Sequence, residues 1–105
     1  MTGWLAGLAR RLWVRFEWVS DPVLGWIAHP EATVRLTAWP CADGCWRYSV
    51  DVEAHGIWWS VAGGRLPRVE LVGLSQARAR QRAQMAAERA WVDWSGSLVA
   101  PGGVR

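Results

Sequence analysis

The sequence reads as an α+β domain: an antiparallel sheet of four or five strands packed against one long C-terminal helix, with a short N-terminal helix. Three features carry this reading. Residues 33–39 and 46–54 alternate apolar and polar side chains with the period of two that half-buried strands require. Asp43-Gly44 and His55-Gly56 interrupt them as turns. From Ser75 to about Trp94, small and apolar residues recur at helical spacing. The 105 residues are near the commonest domain size. Residues 1–96 read as the domain and 97–105, rich in Gly, Ser and Pro, as a flexible tail.

Taken in order, Trp4, Leu5, Leu8, Leu12 and Phe16 would line one side of a helix, but residues 12–18 also alternate as a strand. A short helix to about Arg11 followed by a strand is the reading adopted. Asp21-Pro22 and His29-Pro30 then mark a connecting segment containing Trp26. Val34, Leu36 and Ala38 give the next strand its inward face. In residues 46–54, Trp46, Tyr48, Val50, Val52 and Ala54 share one face, and Arg47, Ser49, Asp51 and Glu53 the other. Ile57, Trp59 and Val61 oppose Trp58 and Ser60 in the strand after it. Gly63-Gly64 and Pro67 read as a loop, and residues 68–73 as a further strand with Val69 and Leu71 inward.

Ser75 is the expected N-cap of the helix. Ala79, Ala83, Ala86, Ala87, Ala90 and Trp94 form its packing stripe, with Tyr48, Trp59 and their aliphatic neighbours filling the interface from the sheet. Arg78, Arg82 and Arg89 share a second stripe with Met85, because offsets of four, seven and eleven residues return to one face. Arg80 lies on the other flank of the alanines.

Composition narrows function. All 12 basic residues are arginine against nine acids, a net charge of +3; arginine favours planar, bidentate or stacking contacts with carboxylate, phosphate or aromatic groups. Ten tryptophans are more than so small a core easily encloses. Exposed Trp beside Arg is the composition of binding hot spots. No stretch reaches the roughly 18 to 20 apolar residues of a membrane span, and the N-terminus lacks the pattern of a signal peptide. The expected location is cytoplasmic, with no membrane partner.

Catalytic chemistry is sparse. The chain has two cysteines and two histidines, no serine in a nucleophile elbow, and neither GxxxxGK[ST] nor GxGxxG. Asp51 and Glu53 share a strand face, but the favoured reading is a solvated face with Arg47 and Arg68 as neighbours. Cys41 and Cys45 flank the Asp43-Gly44 turn: free thiols are favoured for a cytoplasmic protein, with a disulfide or a metal site completed by His29 and His55 as alternatives. The expectation is no enzyme, no cofactor and no metal.

From Trp46 onward, the order "WRYSVDVEAHGIWWSV", a Gly-rich loop and "VELVGLSQARARQRAQMAAERAW" resembles a β-β-β-α unit of small phage and prophage accessory proteins. Gly73, Ser75 and the Ala87-Glu88 pair carry the likeness. More distantly the segment is similar to HicB-type antitoxins, through Tyr48-x-Val50-x-Val52 and Gly73-Leu74-Ser75-x-x-Arg78, but without their Pro-Gly-Cys segment or a DNA-binding domain after the helix. The resemblance implies a mobile-element protein that acts by binding, as anti-CRISPR inhibitors of bacterial defence complexes do.

The leading expectation is therefore a non-catalytic binding protein that occludes a partner's surface through Trp58, Arg47, Arg78, Arg82 and Arg89, the partner being a protein. The alternatives are direct binding of nucleic acid, by arginines on phosphates and a Trp stacked on a base, an antitoxin, or self-association into a homodimer.

Overall fold

A computed structural model describes residues 16–99. Five strands follow one another as an all-antiparallel meander in the order β1-β2-β3-β4-β5. They are β1 Val19–Asp21, β2 Gly25–Glu31, β3 Val34–Pro40, β4 Trp46–Ala54 and β5 Ile57–Leu66. A one-turn helix α1 (Arg68–Leu71) leads to the long helix α2 (Gln76–Val99), which lies against β3, β4 and β5. The fold class agrees with the sequence. The short helix expected before Arg11 lies outside the described residues.

The alternation in β3 and β4 sets the faces. Val34, Leu36 and Ala38 pair with Val52, Val50 and Tyr48, so one face is apolar across the register. Against it α2 lays Ala79, Ala83, Ala87 and Trp91, which recur every four residues and are all buried. Alanines let the helix approach closely, and the volume comes from aromatic residues around them. Trp46 is buried, and Phe16, Trp18, Trp26 and Tyr48 pack at the margins. Trp91 takes the deep position expected of Trp94. Trp59, expected in this interface, is 55 % exposed, because it sits near the β4–β5 turn, pairing with Val52.

Turn chemistry fixes the register. His55 and Gly56, with φ of 56° and 77°, form a two-residue hairpin loop whose doubly positive φ suits the twist of the flanking strands. At the other hairpin, Cys41 N–H donates to Cys45 O at 2.8 Å and Asp43 Oδ1 accepts from Cys45 N–H at 3.2 Å.

Four expectations are corrected. The segment around Trp26 is strand β2; its pairing with β3 shifts between Ala28 and Glu31, so His29-Pro30 marks a bulge rather than a connection. Residues 16–18 are not strand, and the part of that expected strand before Phe16 lies outside the described residues. Gly63 and Gly64 belong to β5. A Cβ on Gly63 would lie 2.6 Å from Tyr48 O, and one on Gly64 would meet the Tyr48 phenol, so these glycines admit a close approach within the strand. Finally, residues 68–71 are helical; Leu71 is buried as expected but Val69 is 77 % exposed. Two alternating apolar residues fit one helical turn as well as a short strand. The unit from Trp46 onward is thus β-β-α. Helix α2 also continues to Val99, beyond the start expected for the tail.

Candidate functional site

The sequence-derived site residues fall on two opposite layers. On α2, Ser75 Oγ accepts the N–H of Arg78 at 3.2 Å and caps the helix. From there the 100° step turns Arg78, Arg82, Met85 and Arg89 almost directly away from the buried alanines, and all four are exposed. Among the described residues no carboxylate pairs with any of these three arginines. The first turn of α2 holds Arg78 and no acid, and the last turn no base, so the helix dipole goes uncompensated. Arg80 differs: it is half-buried, with its guanidinium 4.3 Å over the Trp26 ring.

Arg47 and Trp58 lie on the other layer, the sheet face that α2 leaves open. Arg47 is exposed, and no ion pair engages it among the described residues. Trp58 is half-buried beneath the guanidinium of Arg35, 4.5 Å from its centroid, and touches the ring of His29 at 5.9 Å. One side of its indole is therefore already occupied. Arg35 also pairs with Asp51 at 3.1 Å. The buried Asp51 is thus committed to Arg35 rather than to Arg47 or Arg68, and Glu53 stands exposed beside it.

Three rows cross the open face. Trp39, Arg47 and Arg65 are register neighbours on β3, β4 and β5. Thr37, Ser49 and Gly63 form the next row, with the Thr37 and Ser49 hydroxyls bonded to each other. Arg35, Asp51 and Ser60 form the third. Because Gly63 presents no side chain and Ser49 and Ser60 present short ones, a groove of about 540 Å³ opens between Trp39, Arg47 and Arg65. A second depression of about 310 Å³ shares Trp39, Ser49 and Ser60 and is bounded by Val23 and Leu24.

Sequence reasoning missed Trp39, Arg35 and Arg65. The phase of β3 held the signal for the first two, since inward Val34, Leu36 and Ala38 require Arg35 and Trp39 outward. Arg65 was hidden by the loop reading of Gly63-Gly64.

At the β3–β4 hairpin, Cys41 and Cys45 form a disulfide with Cα atoms 5.1 Å apart. This overturns the free-thiol expectation, which rested on an assumed cytoplasmic setting and not on geometry. Ligand atoms of Cys41, Asp43 and Cys45 do cluster, but the sulfurs are joined and Asp43 accepts from Arg65 at 2.9 Å. Neither histidine belongs to that cluster.

Fold and site together define a helix-backed antiparallel meander with one uncovered Trp- and Arg-bearing face. No protein family, curated protein or solved structure matches the chain. No helix among the described residues is long and apolar enough to cross a membrane.

Proposed function

We propose that this is a non-catalytic binding protein that lays the outer face of α2 on an acidic surface of a protein partner and so occludes it. The observation that carries the reading is the fully outward set Arg78, Arg82 and Arg89, which no carboxylate pairs among the described residues. Arg78 stands in the first turn, where the dipole disfavours a cation by about 0.3 to 1 kcal/mol. Local arrangements that cost stability without a compensating internal contact are where function is expected. Opposed acidic side chains relieve that cost and accept bidentate hydrogen bonds. Inhibition of a bacterial defence complex by a mobile-element protein is the biological setting that the sequence resemblance of residues 46–91 suggests.

The test uses purified protein as bait in host extract, beside the Arg78→Glu/Arg82→Glu/Arg89→Glu variant. A protein retained by the wild type and released by the variant bears the reading out; equal retention by both refutes it. Direct nucleic-acid binding is the second reading. It is favoured by the spacing of the same arginines, about 16 Å along the helix with one sign of charge. Labelled single- and double-stranded oligonucleotides separate the two: binding that weakens steeply between about 50 and 200 mM salt transfers the assignment to nucleic acid.

A further inference from the structure

We propose that the groove on the open sheet face is a nucleotide site, taking a free nucleoside mono- or diphosphate with its base against Trp39 and its phosphate between Arg47 and Arg65. This goes beyond the reading above and uses none of the arginines of α2.

The first argument is charge. Arg47 and Arg65 stand directly opposite one another on β4 and β5, and like charges in cross-strand register destabilise a sheet. Arg47 has no carboxylate among the described residues, and the pair between Arg65 and Asp43 is exposed, with half of each side chain in water. An exposed pair holds its partners weakly, so Arg65 is free to turn. An anion between the two guanidiniums removes the repulsion and gains charge-assisted, bidentate contacts. A phosphate carries enough oxygens to accept from two guanidiniums at once.

The second argument is shape. The groove, about 540 Å³, is shallow and open to solvent, with room for one small planar ligand lying along the sheet. Its floor is Gly63 and the short Ser49 and Ser60, so the space beside the row of Trp39, Arg47 and Arg65 is left open. Trp39 and Arg65 are two strand spacings apart, about 10 Å, the scale of one nucleotide from ring to phosphate. Trp39 offers a stacking surface for a planar ring. The Ser60 hydroxyl accepts or donates to a sugar, whereas Ser49 is already bonded to Thr37. By contrast, the far end of the face carries Glu53 beside Trp58, and a continuous strand of phosphates would run against that acid. The site thus fits one nucleotide unit, not a polymer.

The test is titration of the ¹⁵N-labelled full chain with ADP, adenosine, inorganic phosphate and a ten-base oligo-dA, following backbone amides and the indole N–H signals. ADP is expected to saturate with Kd on the order of 0.1 to 1 mM, shifting the Trp39 indole and residues 47–49 and 63–65. Arg47→Ala and Trp39→Ala should each weaken it by about tenfold or more. The Arg78→Ala/Arg82→Ala/Arg89→Ala variant should bind ADP like the wild type, so this proposal and the α2 reading fail separately. Arg47 is exposed, so its variant keeps the test valid if Trp39→Ala fails to fold. The proposal is overturned by the absence of saturable shifts with ADP, by phosphate alone binding as tightly as ADP, or by oligo-dA binding in preference to the mononucleotide.

Discussion

The guanidinium of Arg80 stacks 4.3 Å above the indole of Trp26 and ties the N-terminal half of α2 to β2. It separates Arg80 from Arg78 and Arg82, its neighbours in sequence, which face outward. A partly desolvated cation–π contact is worth roughly 0.5 to 2 kcal/mol, and the arginine stem adds packing. Working against this, Arg80 Nε is buried with no hydrogen-bond partner among the described residues. Arg80→Ala should therefore destabilise the protein by about 1 kcal/mol, whereas Arg82→Ala should stay within about 0.5 kcal/mol. Urea denaturation of the two variants checks this. Equal effects would mean that the stack contributes nothing or that the outer stripe is not outward.

Trp91 shows a different compromise. It is 2 % exposed at the centre of the core, with the Phe16 ring edge-on at 5.8 Å. Yet its indole N–H is buried and has no hydrogen-bond partner among the described residues, a deficiency of about 1 to 3 kcal/mol. Trp91→Phe gives up ring area but also removes the orphan donor, and the two changes offset. We expect a loss below about 1.5 kcal/mol, against about 3 to 5 kcal/mol for Trp91→Ala. Denaturant midpoints with unchanged m-values report the difference. A Phe variant as damaged as the Ala variant would show that the N–H has found a partner.

Those two residues also show what was legible beforehand. Helical spacing identified the alanine face of α2, and period-two alternation located β3 and β4, because burial on one face imposes a strict period on the chain. Periodicity fails where the run is short or the strand carries special residues. Arg68–Leu71 offers too few residues to distinguish a helical turn from a strand. Gly63 and Gly64 read as a loop because their reason for being in β5, the overlying Tyr48, is a tertiary contact. The site suffered similarly. Exposure of Arg78, Arg82 and Arg89 follows from helix phase alone, but the capture of Trp58 by Arg35 depends on which strands become neighbours. No spacing within one element encodes that.

Asp21 links local structure to pH. Its Oδ1 accepts the N–H groups of Leu24 and Val23, each at 2.8 Å, closing the turn between β1 and β2. The Leu24 bond first, then the Val23 bond, hold the carboxyl below its ordinary value of 3.8; Arg35 adds a smaller push in the same direction, and desolvation opposes them. A carboxylate whose folded pKa is depressed contributes stability that is complete above the ordinary value and is lost as pH falls through the folded one. The wild type should therefore lose stability as pH drops below about 4, in part through this group. Asp21→Asn keeps an oxygen acceptor for both N–H groups but cannot titrate. The gap between wild type and variant should be widest near neutral pH and close progressively in acid. Urea midpoints from about pH 2 to pH 6 measure it. A gap that stays constant across that range would show that the turn does not depend on the charge of Asp21.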